Sequence, residues 1–119
     1  MIYAPGFERA LEQPLAGAIP IPPAARLIIT EGNYLLCHHH GWGRIRFQLD
    51  EVWYVDLDAG ERLRRLIARH IRFGKDAAAA TAWATGPDER NAVLVTATRP
   101  RADLLVPPEL MRSLGTPPD

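Results

Sequence analysis

The amino-acid sequence predicts an α/β fold with a short parallel sheet. Two runs rich in apolar residues, 26–30 and 51–57, have the continuous hydrophobicity that is typical of strands buried on both faces. A third short run covers 102–106 and ends at two prolines. Helical patterns separate these runs, and strands that alternate with helices pair in parallel. The 119 residues suit one small domain.

Composition excludes several classes of protein. Fourteen basic residues balance fourteen acidic ones, which argues against nucleic-acid binding driven by charge alone. A single cysteine, Cys37, excludes an internal disulfide. No apolar run reaches the ~18 residues of a membrane span. Because the first twenty residues also lack a signal-peptide pattern, we expect a cytoplasmic protein without a membrane partner.

The stretch before the first predicted strand is expected to be irregular. Five prolines interrupt residues 1–23, so this stretch predicts a loop with short helical pieces. Between 26–30 and 51–57, the residues Trp42, Ile45 and Leu49 recur at helical spacing. They predict a short helix that crosses between the two strands.

The clearest helix begins after Asp58. Asp58 is a good N-cap, and Glu61 three residues later completes a pattern like a capping box. Gly74 is expected just past the end of the helix. We expect one face to be buried and a second face to be at least partly exposed. The apolar face carries Leu63, Leu66, Ile67 and His70, and the basic face carries Arg62, Arg65, Arg69 and Arg72.

Further helical segments follow the clearest helix. Asp76 is a candidate cap for a helix over 77–85 that Gly86-Pro87 would end. Asp88 is a candidate cap for a helix that continues through Thr98. After the strand at 102–106, a last helical turn is expected over 109–114, ending at Gly115.

Four features of the sequence are weighed as candidates for chemistry. Glu31 closes a predicted buried strand, where a carboxylate can hold Mg²⁺ or can merely cap the next turn. Five arginines within residues 62–72, followed by Lys75, could clamp phosphates, form a solvated helix face or bind nucleic acid. The run 38–40 of three histidines favours a polar turn over a metal site, and Cys37 favours a small buried apolar residue.

Two single residues exclude two further classes of site. Ser113 is the only serine and lies in a polar tail, which excludes a serine nucleophile elbow. Lys75 is the only lysine, and its surroundings do not match the phosphate-binding pattern G-x-x-x-x-G-K-[ST]. The 119 residues therefore contain no P-loop.

An ordered set of motifs resembles a known family. The motifs are Thr30-Glu31-Gly32-Asn33-Tyr34-Leu35-Leu36, the stretch 50–56, Arg69-His70-Ile71-Arg72-Phe73-Gly74-Lys75, and the stretches 88–92 and 98–103, with Tyr3-Ala4-Pro5-Gly6-Phe7-Glu8-Arg9 at the start. In this order they resemble the P-loop nucleoside and nucleotide kinase-like proteins, relatives of uridine kinase, pantothenate kinase and phosphoribulokinase. An aspartate would be expected where Glu8 stands.

The resemblance implies roles for individual residues. It implies catalytic roles for Glu31, Arg69 and His70, with Glu31 as the residue near Mg²⁺. It places Tyr3, Phe7, Arg9, Asn33 and Tyr34 on the side of the small-molecule acceptor. It assigns Arg65, Arg69, Asn91, Arg99 and Arg101 to the nucleotide and to a helical lid over its phosphates. Such groups suit phosphoryl transfer, which depends on positioning and charge neutralisation.

The resemblance also implies that part of the family's fold is missing. Residues 1–106 resemble the C-terminal part of a P-loop kinase-like domain, with 107–119 as a short tail, and the strand that carries the P-loop would lie between 26–30 and 51–57. We therefore expect a partial three-layer fold that exposes Ile28, Val52 and Val55 and that associates with itself or with an N-terminal fragment.

The family reaction transfers the γ-phosphoryl group of ATP, with Mg²⁺, to a hydroxyl of a nucleoside, a sugar or a pantothenate-like compound. Without the ATP-binding loop we expect this chain alone to be inactive. A non-catalytic binding or regulatory module and an arginine-rich nucleic-acid binder are the alternatives.

Overall fold

A computed structural model of the chain describes residues 1–8 and 10–113, without the side chains of 111–113. The chain forms two compact units, Met1–Glu31 and a second unit that begins at Gly32. Each unit is described by itself.

The first unit contains a β-hairpin. Strand β1 (Ile2–Glu8) pairs antiparallel with strand β2 (Gln13–Ile21), and the register shifts between Ala4 and Gly6. The prediction of a loop with short helical pieces was therefore wrong. Each strand of a two-stranded ribbon has one unpaired edge, so a proline whose missing N–H lies on that edge costs no ladder hydrogen bond.

Residues 26–30 were predicted as a buried strand, and this prediction was wrong. They form no regular structure, and their apolar side chains are exposed, with Leu27 at 76% and Ile29 at 83%. A strand exists only through its hydrogen-bonded neighbours, and no described segment pairs with these residues. The expected exposure of Ile28 is confirmed.

The second unit alternates strands and helices. A 3₁₀ helix (Trp42–Gln48) leads to strand β3 (Trp53–Val55) and then to helix α1 (Ala59–Arg72). Helix α2 (Ala77–Trp83), a π-helical turn (Ala84–Asp88) and helix α3 (Glu89–Thr96) follow. A 3₁₀ turn (Arg99–Arg101), strand β4 (Leu104–Val106) and helix α4 (Pro108–Ser113) complete the unit. The predicted end of the last turn, at 114–115, lies outside the described residues.

Strands β3 and β4 pair in parallel, which confirms an α/β unit with a short parallel sheet. Asp103 fixes the beginning of the pair. Its carboxylate accepts hydrogen bonds from the Val52 N–H at 2.8 Å and from Arg46 at 2.7 Å, and its own N–H donates to the Val52 carbonyl at 2.9 Å. The strand is shorter than predicted. Val55 is exposed as expected, whereas the exposure predicted for Val52 was wrong because Val52 lies in the small core, 5% exposed.

Both predicted ends of α1 are confirmed. The Asp58 carboxylate accepts a hydrogen bond from the Glu61 N–H at 3.0 Å. At the other end Gly74 has φ +102°, and the N–H groups of Gly74 and Lys75 donate to the carbonyls of Ile71 and His70. The apolar face has the predicted phase, but Leu63, Leu66 and Ile67 are only half-buried.

The predicted break at Gly86-Pro87 was wrong. After the confirmed Asp76 cap, the chain stays helical from α2 through the π-helical turn into α3, with Pro87 inside the turn. Ala80 and Ala84 are fully buried in this region. Asp88 has helical backbone angles and makes no capping hydrogen bond, so its predicted role as an N-cap was also wrong.

The core is small and made mainly of short side chains. Its buried apolar members among the described residues are Leu36, Cys37, Val52, Ala80, Ala84 and Val106. The burial predicted for Cys37 is thus confirmed. No described helix has both the length and the apolar character that a membrane crossing requires.

Candidate functional site

A cleft of about 380 Å³ opens at the carboxyl end of β3. Residues 54–57 form one side of it, Arg62 of α1 lies on a second side, and Glu89 and Thr96 of α3 lie on a third. In parallel α/β sheets, ligands bind outside the carboxyl ends of the strands. The cleft is therefore the candidate site of the second unit.

The charged groups around this cleft are arranged in pairs. The Arg62 guanidinium donates to the Glu89 carboxylate and ties α1 to α3. Asp56, directly after β3, forms an ion pair with Arg99 at 2.8 Å. These pairs shape the cleft and neutralise its walls.

Glu61 binds two of the five arginines in 62–72. Its carboxylate accepts hydrogen bonds from Arg64 at 2.6 Å and from Arg65 at 2.6 Å. The hydrogen bonds from Arg64 and then Arg65 lower the pKa of Glu61 below its ordinary value of 4.5. Arg65, one of the expected lid residues, is thus paired with a carboxylate of its own helix.

Arg69 and His70 are adjacent but have different surroundings. His70 Nε2 lies 2.7 Å from Asp88 Oδ2, which joins α1 to the π-helical turn. The Arg69 side chain is exposed, and its guanidinium has no hydrogen-bond or ion-pair partner among the residues the structure describes. The same holds for Arg72, three residues further along α1.

Tyr34 and Asn91 are brought together by the fold. The Tyr34 hydroxyl donates a hydrogen bond to Asn91 Oδ1 at 2.8 Å, across 57 positions of sequence. The resemblance places Tyr34 beside the acceptor and Asn91 beside the lid, and the structure makes them one contact. Asn33, next to Tyr34, is exposed in a turn.

Arg99 and Arg101 both make contacts within the unit. Arg99 pairs with Asp56, and Arg101 Nη1 donates to the Leu36 carbonyl. These contacts tie the segment before β4 to the end of β3 and to the turn at 34–37. Any contact that they make to a nucleotide stays a prediction.

The other predicted site residues belong to the first unit. Tyr3 and Phe7 lie on β1 with exposed side chains, Glu31 is exposed at the end of the unit, and Arg9 lies outside the described residues. Within the described part of the chain, no group of three or more His, Cys, Asp or Glu side chains could hold a metal ion. A role for Glu31 beside Mg²⁺ stays a prediction.

Asp56 and Glu89 line the cleft and were missed as site residues. A signal for Asp56 was present, because a carboxylate that directly follows a buried strand is the pattern that selected Glu31. Glu89 carried no such signal, since its position in the cleft depends on how α3 packs beside α1.

The chain is similar to proteins that are named ATP-dependent kinases. It is 32% identical over 108 residues to the ATP-dependent kinase-like protein notR' of Aspergillus versicolor, covering 89% of this chain and 63% of that relative. It is 33% identical over 78 residues to the ATP-dependent kinase YFH7 of Lachancea thermotolerans, covering 61% of this chain and 22% of the relative. No protein-family model matches the chain.

A solved structure shares the fold. The crystal structure of a candidate fructose transport system kinase from Silicibacter sp. TM1040 superposes with a TM-score of 0.80 at 35% identity. The match covers 89% of this chain and 52% of the other.

The α/β unit with its short parallel sheet matches a kinase-like fold. These relatives support a P-loop kinase-like family, of which this chain matches a part. It spans less than two thirds of the length of each of these relatives.

Proposed function

We propose that this chain takes part in ATP-dependent transfer of a phosphoryl group to a hydroxyl of a small metabolite. In this proposal it supplies the acceptor side and the arginine lid of the site, while the cradle for the ATP phosphates is not encoded in its 119 residues. The names of the relatives, which describe ATP-dependent kinases, support this class of reaction.

The observation that carries the proposal is the unpaired state of Arg69. Arg62, Arg64 and Arg65 on the same helix are each bound to a carboxylate. Arg69 is exposed and has no such partner in the described residues. A guanidinium that remains free can bind phosphate oxygens through two parallel hydrogen bonds.

The family implies ATP and Mg²⁺. A single carboxylate suits Mg²⁺, because this ion usually keeps several waters and takes its remaining ligands from substrate phosphates. Glu31 is the residue proposed to lie beside it. When bound, Mg²⁺ would neutralise phosphate charge, and Arg69 would orient the phosphates and balance the charge that remains.

Phosphate binding by Arg69 is tested with the full chain and inorganic triphosphate as the probe. We expect Arg69→Gln to weaken binding about tenfold, as measured by calorimetry, because one charge-assisted contact is lost. Arg64→Gln is the matched control, since Arg64 is exposed on the same helix but is bound to Glu61. Equal weakening by the two substitutions would contradict a specific role for Arg69.

Activity is tested separately. We expect the chain alone to show no ATP-dependent phosphorylation of nucleosides, sugars or pantothenate-like acceptors, since it has no P-loop to bind the β-phosphate. The control is Glu31→Gln. Magnesium-dependent turnover above that control would overturn this expectation. Binding of a hydroxylated metabolite without turnover would instead favour the binding-module alternative.

The ion pairs argue against the nucleic-acid alternative. Three of the five arginines in 62–72 are neutralised by carboxylates, so the cluster presents much less positive charge than its sequence suggests.

We also propose that the second unit associates with a further strand. β4 is the only described strand that pairs with β3, and Trp53 and Val55 on β3 are exposed. An open, apolar strand edge is a template for pairing with another chain. The partner is a second copy or an N-terminal fragment.

A further inference from the structure

A second cleft lies on the opposite face of α3 from the candidate site. Its volume is about 280 Å³. The residues that line it, here called the aromatic cleft, are Tyr34, Cys37, His39, His40, Trp42 and Leu94. None of the roles proposed above involves His39, His40, Trp42 or Leu94.

The walls of the aromatic cleft are held in place by specific contacts. The Tyr34 hydroxyl is bound to Asn91, and the Tyr34 carbonyl accepts a hydrogen bond from the Cys37 N–H at 2.9 Å. The Trp42 ring lies 5.6 Å from the Tyr34 ring, centroid to centroid, at an angle of 46°. The rings are therefore oriented before any ligand arrives, which lowers the entropy cost of binding.

A strained turn presents the two histidines. His40 has φ +54° and Gly41 has φ +85°, and the Trp42 N–H donates to the His39 carbonyl at 3.1 Å. A left-handed conformation is uncommon for a residue other than glycine and costs free energy. This turn carries His39 and His40 to the rim of the cleft and begins the 3₁₀ helix that carries Trp42.

The lining determines the chemistry of a suitable ligand. No Asp, Glu, Lys or Arg lines the cleft, so no permanently charged side chain there pairs with a charged ligand. Trp42 is 37% exposed and Leu94 is 45% exposed, so apolar surface is left for a ligand to cover. Imidazole nitrogens can donate or accept a hydrogen bond. The volume is below the ~300–1,000 Å³ of pockets for drug-sized ligands, which restricts the ligand to one or two fused rings.

We propose that the aromatic cleft binds a neutral, planar heteroaromatic ring. The ring stacks on Trp42, meets the tilted Tyr34 ring with its edge, contacts Leu94, and exchanges hydrogen bonds with His39 or His40. The cleft shares Tyr34 with the acceptor side that the resemblance implies, but ring binding does not depend on the phosphoryl-transfer proposal, because none of the lining residues is assigned to phosphate.

The test uses the full chain with benzimidazole and adenine as probes. Binding of each probe is measured by the shifts of backbone amide NMR signals at neutral pH. Cyclohexanol is the saturated control ligand. We expect saturable shifts with the aromatic probes around 34–42 and 94, and none with cyclohexanol. Leu94→Ala and Trp42→Ala should each weaken binding about tenfold by removing one contact wall. Thermal melting identifies any variant that has lost its fold.

Val93→Ala is the matched control, because Val93 precedes Leu94 on α3 but lines the other cleft. It should leave binding unchanged.

Several results would overturn the proposal. They are the absence of a saturable shift at millimolar probe concentration, equal affinity for cyclohexanol, or equal weakening of binding by Val93→Ala and Leu94→Ala.

Discussion

Glu61 shows how one residue can serve both a helix end and a charge cluster. Its N–H is capped by Asp58, and its carboxylate binds Arg64 and Arg65. Because its carboxylate pairs with two guanidinium groups, it limits which arginines of α1 are free for an anion. Arg69 is beyond its reach, and that difference separates a structural arginine from a candidate ligand-binding one.

The lowered pKa of Glu61 predicts a pH-dependent contribution to stability. The fold favours the ionised carboxylate, so the contribution is present above about pH 4.5 and is lost as the pH falls through the folded pKa. We expect Glu61→Gln to lower the melting temperature at neutral pH and to have a smaller effect near about pH 3.

Glu51→Gln, which removes an exposed carboxylate just before β3, serves as the control and should show little change. A melting-temperature difference for Glu61→Gln that stays constant from neutral to acid pH would contradict this account.

Asp88 illustrates what a local pattern could not predict at the residue scale. Its position before a helical run is typical of an N-cap. Its carboxylate instead bonds to His70, 18 positions earlier. A long-range partner that is itself half-buried competes with the local backbone N–H groups, and only the packing of α1 against the π-helical turn brings that partner within reach.

The ends of α1 were predictable because they depend on local chemistry. Asp58 and Gly74 act through residues within a few positions of themselves. The join between α2 and α3 was not predictable in this way. A glycine followed by a proline usually ends a helix. Here a π-helical turn accommodates both Gly86 and Pro87.

Gly74 provides a test at the scale of the helix. Its φ of +102° is unfavourable for any residue with a Cβ atom, although a methyl group there would meet nothing within 4 Å. Gly74→Ala should therefore reduce the free energy of unfolding by about 1 kcal/mol or more through backbone strain alone, as measured by denaturant unfolding.

Gly32→Ala is the matched control for Gly74→Ala. Gly32 has no positive φ, and an added Cβ atom would make only ordinary contacts with Leu35. We expect a change within about 0.5 kcal/mol. Similar losses for the two substitutions would show that strain at Gly74 is not what ends α1.

At the scale of the whole molecule, the described core is small and apolar side chains are widely exposed. Trp53 on β3 is 59% exposed, and the apolar side chains of 27–29 are exposed in the first unit. Exposed apolar surface of this kind promotes association.

We therefore expect sedimentation of the isolated chain to depend on concentration. Trp53→Lys should reduce the association, because it places a charge beside the open edge of β3. Trp83→Lys, which changes another half-exposed tryptophan on α2, should not. A separate fragment that carries the P-loop strand should raise the melting temperature, since a partner that binds only the folded state stabilises it.

A monomer at every concentration that melts cooperatively above ~60 °C would contradict the association proposal. A monomer with a lower melting temperature that the fragment does not raise would contradict it as well.

The sequence by itself determined the class of the second unit, the position of α1 with its caps and the parallel strands at 53–55 and 104–106. These features depend on hydrophobic periodicity and on capping groups within a few residues. Only the tertiary structure decided that 1–23 forms a hairpin, that 26–30 forms no strand, and that Tyr34 bonds to Asn91. The physical reason is that strand pairing and long-range side-chain bonds require partners far away in sequence, whose presence no local pattern encodes.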